Sequence, residues 1–73
     1  MLVSIFVPEC GTMTRVIEAE TVLKGIVSAV KDLGFRNIRV WEVVWGMGSC
    51  NAKLIVTCKD DTDIFIWTSV PSE

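Results

Sequence analysis

Only one stretch of this sequence repeats its apolar residues with the period of a helix. Between Arg15 and Leu33, the residues Val16, Ala19, Leu23, Ile26, Val30 and Leu33 recur at alternating steps of three and four, which draws one apolar stripe down a helix. A single helix can cover only one face of a sheet. Whatever the rest of the chain forms, its other face has to be left to solvent or to a partner.

The helix ends plainly and begins ambiguously. Gly34 follows Lys31-Asp32-Leu33 and suits the left-handed position after a helix C-terminus. At the other end, Thr14 could cap a long helix with Glu18 and Glu20 near its positive end. Alternatively TRVIEAE is extended, and Thr21 caps a shorter helix from Val22. Threonine suits both positions. Gly25 costs about 1 kcal/mol relative to alanine inside a helix, which suggests close packing of the helix there on the sheet.

Everything else reads as strand and turn. LVSIFV, residues 2–7, is a β-branched and aromatic run closed by Pro8, and ECGTMT reads as a loop pivoting on Gly11. Residues 36–45 form the next strand, and Gly46-Met47-Gly48-Ser49 is a turn. AKLIVTCK, residues 52–59, alternates apolar and polar side chains. DDTD comes next as an Asp-rich turn. IFIWTSV, residues 64–70, is the last strand, stopped by Pro71. The expected fold is α+β, a single domain over residues 1–73. It has one antiparallel sheet of four or five strands with one helix on one face, ordered β-α-β-β-β or β-β-α-β-β-β.

Alternation assigns side chains to faces. In RNIRVWEVVW, Ile38, Val40 and Val44 share a side with Glu42. Asn37, Arg39, Trp41, Val43 and Trp45 share the other. Leu54, Val56 and Cys58 oppose Lys53, Ile55, Thr57 and Lys59, and Val3, Ile5 and Val7 oppose Ser4 and Phe6. The small branched sets match as the surface beneath the helix. In the last strand both sides are apolar, and Phe65 and Trp67 are placed outward with the other aromatics, opposite Ile64 and Ile66. The expected partner-binding face therefore carries Trp41, Trp45, Trp67, Phe65, Arg39, Lys53 and Lys59, with Phe6 beside them. The competing arrangement packs the helix over the aromatics and makes the tryptophans core. A one-residue slip in register moves a strand from one arrangement to the other.

Composition supports an interface. Hydrophobic residues make up 51% of the 73, while a chain of this size buries only roughly 60% of its unfolded surface. The apolar excess suits a second covered face, against a partner or a second copy. Net charge is −2, too mild to mark a nucleic-acid binder by itself. No apolar run approaches the ~20 residues of a membrane span. The N-terminal MLVSIFVPE lacks the basic region of a signal peptide, so a cytoplasmic location is expected.

Catalytic equipment is missing from the sequence. There is no histidine, and the three cysteines, Cys10, Cys50 and Cys58, are widely spaced. A structural zinc normally takes four Cys or His ligands, and a catalytic thiol needs a base or a strongly positive site. Neither is expected here; nor is a Cys10–Cys50 disulfide in a reducing compartment. Cys58 reads as a small hydrophobe. Gly46-Met47-Gly48 lacks the third glycine and following helix of a dinucleotide motif. Asp60, Asp61 and Asp63 lack the glycine and terminal glutamate of a calcium loop. The reading is non-enzymatic, with no metal and no cofactor. Glu42, placed beneath the helix by alternation, has no partner that the sequence names.

The stretch VIEAETVLKGIVSAV, with Ile17 to Thr21 at its start, resembles very small phage-encoded inhibitor proteins of the anti-CRISPR type. These run from a strand through an IEAE(S/T) stretch into a short helix and a three-strand meander. The resemblance implies a protein that occupies a surface of a bacterial defence complex, often one that would hold nucleic acid, in the host cytoplasm. The tryptophan-rich RVWEVVW and IFIWT lie outside that pattern, and no functional residue carries over from it. Two other readings compete. A nucleic-acid-binding sheet would stack bases on the aromatics beside Arg39, Lys53 and Lys59. A ligand-binding homo-oligomer of the dodecin type would stack its strand tryptophans on flavin.

Overall fold

Thr21 decides where the helix begins. In the computed structural model, which describes residues 1–71, Thr21 is extended (φ −134°) and its Oγ1 accepts a 3.2 Å hydrogen bond from the Lys24 N–H. That satisfies one of the free amides of the first turn. Helix α1 then runs Val22–Asp32, and Gly34 comes after it in the left-handed region at φ 96°. The longer helix from Thr14 does not form. Val16 is instead the exposed last residue of a strand, and Ala19 lies in the connection between that strand and α1.

The strands are β1 (Leu2–Val7), β2 (Gly11–Val16), β3 (Arg36–Gly46), β4 (Ser49–Thr57) and β5 (Asp63–Val70). They form one antiparallel sheet in the order β2-β1-β5-β4-β3. The architecture is α+β, with the helix placed between β2 and β3 in sequence. These two strands are the opposite edges of the sheet, so the chain has to cross one face to connect them. ECGTMT is not a loop throughout. Glu9 and Gly11 take positive φ, the Cys10 N–H closes on the Val7 carbonyl at 3.0 Å, and β2 begins at Gly11. β4 begins before the 52–59 stretch read as strand, so Cys50 lies within it.

The core is the single layer between α1 and the sheet. Ile26, Ala29 and Val30 of α1 close over Val3, Ile5 and Val7 of β1, Leu54 and Val56 of β4, and Ile66 of β5. A Cβ at Gly25 would meet only the Sδ and Cε of Met1 and, at ordinary contact distance, the Ala19 Cβ; the end of the flexible Met1 side chain can move aside. Met1 is itself held by its ammonium group, which donates a 2.7 Å hydrogen bond to the Ile17 carbonyl. Arg15 of β2 pairs with Asp32 at the last turn of α1 at 3.1 Å, tying that edge of the sheet to the helix.

Candidate functional site

Antiparallel register aligns one residue from each strand across the uncovered face. Thr12 lies opposite Phe6, Phe6 opposite Trp67, Trp67 opposite Lys53 and Lys53 opposite Glu42. The next row holds Phe65, Ile55 and Arg39. Side chains opposite one another on a sheet touch, and here they build a continuous aromatic surface. Phe6 and Trp67 have ring centroids 6.0 Å apart, and Trp41 meets Phe65 edge-on at 5.9 Å and 85°. Both geometries suit the ring quadrupoles. Lys53 joins the two pairs: its Nζ lies 4.6 Å from the Phe65 centroid and 5.4 Å from that of Trp67, within cation–π range.

These rings stay wet. Trp41 is 64% exposed, Trp67 44% and Phe65 40%. Beside them lies an open concavity of about 560 Å³, lined among others by Ser4, Phe6, Val44, Asn51, Lys53, Trp67 and Ser69.

The charges on this face offset one another. Arg39 pairs with Asp63 at 3.3 Å, and Asp63 also accepts a 2.6 Å hydrogen bond from the Thr57 hydroxyl. That hydrogen bond, then Arg39, hold the Asp63 carboxyl below the usual range. In the β4–β5 turn, hydrogen bonds from Thr62 lower Asp60 in the same way, and Arg36 pairs with Asp61. A carboxylate with a depressed pKa stabilises the fold above its unfolded pKa, and that contribution is lost as pH falls through the folded value. Melting of wild type and Asp63→Asn should therefore differ most near neutrality. The gap should narrow steadily as pH is lowered through and below the carboxylate range. A gap that is constant from neutral to acid pH would show that the ionised carboxylate contributes nothing.

Of the residues expected on this face, the structure brings together Trp41, Trp67, Phe65, Arg39 and Lys53. Trp45 is not among them. A register irregularity between Val40 and Glu42 interrupts β3, so the alternation restarts after Trp41. Trp45 then lies opposite Cys50 and Val43 opposite Ala52, on the helix side of the sheet, while Glu42 and Val44 turn to the open side opposite Lys53 and Asn51. A β-bulge inserts an extra residue and reverses the parity of the strand beyond it. Lys59 is also elsewhere. It lies beyond the end of β4, its aliphatic stem beside Gly34 after the C-terminus of α1. The sequence did carry a signal for Glu42, since an acidic residue assigned beneath a helix is better placed opposite a lysine.

The three cysteines are free thiols: Cys10 exposed, Cys58 half-buried and Cys50 buried. Burial pushes the Cys50 thiol up. Among the described residues, no group of three or more His, Cys, Asp or Glu side chains is placed to hold a metal ion. Nor is any helix long and apolar enough to cross a membrane. No protein-family model, curated protein or solved structure matches the chain.

Proposed function

We propose that this chain is a non-enzymatic protein-binding module whose contact surface is the open sheet face. The observation that carries the reading is the wet aromatic row, with Phe6 and Trp67 beside Lys53, and with Trp41 and Phe65 adjoining. Exposed tryptophan and arginine on a preformed surface are the residues that dominate protein interface energetics. A rigid sheet holds them in place before the partner arrives, so little ordering cost remains to be met on binding. In its specific form the proposal is an inhibitor, phage-encoded, that occupies a surface of a bacterial defence complex of the CRISPR–Cas kind. The resemblance in Ile17 to Thr21 directs that choice of partner.

Nucleic-acid binding is the weaker reading because phosphate contacts need unopposed cations. On this face Arg39 is engaged by Asp63, Glu42 stands opposite Lys53, and Lys59 is absent from it. The Lys53 ammonium also sits over ring faces that bases would need for stacking. A flavin site of the dodecin kind would lose Trp45 from its stacking set, because Trp45 is on the other face.

The test is titration of a purified bacterial defence complex with the wild-type chain and with Trp41→Ala. Saturable binding that the substitution weakens by over tenfold supports the proposal. Binding that the substitution leaves unchanged removes the open face as the site. A salt-dependent shift with single-stranded oligonucleotide, in the absence of protein binding, replaces the reading with the nucleic-acid one.

A further inference from the structure

We infer that the outer edge of β3 is a self-association strand that pairs antiparallel with β3 of a second copy, with the two-fold axis at Val44. This rests on the edge of the sheet, although Trp41 and Val44 also belong to the open face, and its test reads self-association without any other partner present.

β3 ends the sheet, and among the described residues nothing pairs beyond it. It runs for 11 residues, while the opposite edge, β2, has six. Sheets normally protect a long edge with lysine, proline, inward charge or a β-bulge, and the irregularities of β3 fall before Glu42, so that its last five residues form a regular edge. From Val40 to Gly46 the only charged residue is Glu42, and there is no lysine, arginine or proline. The same stretch exposes large apolar side chains on both faces of the sheet. Val40 (44%) and Trp45 (62%) project on the helix side, and Trp41 (64%) and Val44 (52%) on the open side. A partner lying on either face could cover only half of this set. A strand added at the edge adjoins both halves.

Regular pairing extends over a limited part of β3. Irregularities fall between Arg36 and Arg39 and between Val40 and Glu42, and from Glu42 to Gly46 the register is unbroken. The centre of that segment is Val44. A two-fold axis perpendicular to the sheet keeps each face on its own side, so it has to pass through a residue and not between two. Placed at Val44, it sets Val44 opposite Val44 of the second copy on the open side. On the helix side it sets each Trp45 opposite a Val43, an aromatic–β-branched pairing that favours sheets. Each Glu42 faces a Gly46, which leaves the carboxylate free to reach water.

The neighbouring axes are worse. An axis at Glu42 would oppose two carboxylates. An axis at Val43 would set Trp41 against Trp45, which project on opposite faces after the bulge. An axis at Trp45 leaves only three residues of the strand paired within the regular segment. The strand is thus complementary to itself in one register, as an isologous interface requires. Joined this way, the five strands of each copy form one continuous sheet, with both helices on one side and both aromatic faces on the other.

The experiment is sedimentation of the chain over a wide concentration range, with three variants. Wild type is expected to move from monomer mass towards twice that mass as concentration rises. Val44→Lys sets two ammonium groups against each other at the axis and should raise the dimer dissociation constant by at least about tenfold. Circular dichroism on the same sample checks that the sheet remains. Val44→Cys, in a Cys10→Ser background, reads the register without adding charge. Cα atoms facing each other across an antiparallel pair are about 4.5–5.5 Å apart, within the span of a disulfide. Mild oxidation should link the Val44→Cys copies and leave Asn51→Cys, on the same face one strand further in, unlinked. A wild type that stays monomeric overturns the inference. So does a dimer that survives Val44→Lys, or a dimeric sample that fails to cross-link at Val44→Cys.

Discussion

Leu54→Ala is expected to remove from about a fifth to all of the stability of this fold. Leu54 has no exposed surface and lies at the centre of β4, opposite Ile66 on one side and Val40 on the other. A buried Leu→Ala change costs about 2–5 kcal/mol, more where the surroundings cannot collapse into the gap. Domains are stable by about 0.05–0.15 kcal/mol per residue, so a chain of 73 residues has roughly 4–11 kcal/mol to lose. Little can relax here. The sheet backbone is held by pairing on both sides of β4, and among the described residues the main cover is one helix of 11 residues. Urea denaturation should show the midpoint falling by about a fifth or more with an unchanged slope. A loss under about 1 kcal/mol would mean that α1 closes onto the sheet far more freely than a packed core allows.

Some of this structure was legible in the residues and some was not, for physical reasons. The meander of the C-terminal half arises from turn chemistry at Gly46–Ser49 and at the Asp-rich stretch after Lys59. The outward placement of Phe65 and Trp67, opposite Ile64 and Ile66, comes from matching the chemistry of adjacent strands. The helix start was open between Thr14 and Thr21 because both are good caps. The choice between them belongs to tertiary structure: β2 gains backbone pairing with β1 that a longer helix would forfeit. Parity within β3 failed for a different reason. Alternation is reliable only while the strand has no extra residue, and the bulge beside Trp41 has no glycine or proline to announce it. Every residue beyond it changed sides, which moved Trp45 away from Trp41 and brought Glu42 opposite Lys53. Lys59 was lost from the face because β4 ends at Thr57, two residues earlier than alternation alone implied.

Because the bulge separates the two indoles, Trp41→Ala and Trp45→Ala are expected to behave differently although the residues are four apart. Trp41 contributes the most exposed ring of the open face and touches Phe65 edge-on. Its removal should weaken partner binding by over tenfold, the loss typical of an interface hot spot worth about 2 kcal/mol or more. Stability should change far less than the ~3–5 kcal/mol of a buried aromatic, since most of the ring is already in water. Trp45 faces the helix side near Val22 and Cys50. Its removal should leave affinity for a partner on the open face within about threefold, because additivity holds for residues that share no contact. Paired titrations and thermal melts of the two variants, at concentrations where the chain is monomeric, separate the outcomes. Loss of binding with Trp45→Ala and retention with Trp41→Ala would assign the partner to the helix side. A steep fall in melting temperature with Trp41→Ala would make that ring a structural element of the sheet, and the case for a preformed aromatic surface would then rest on Phe6, Phe65 and Trp67.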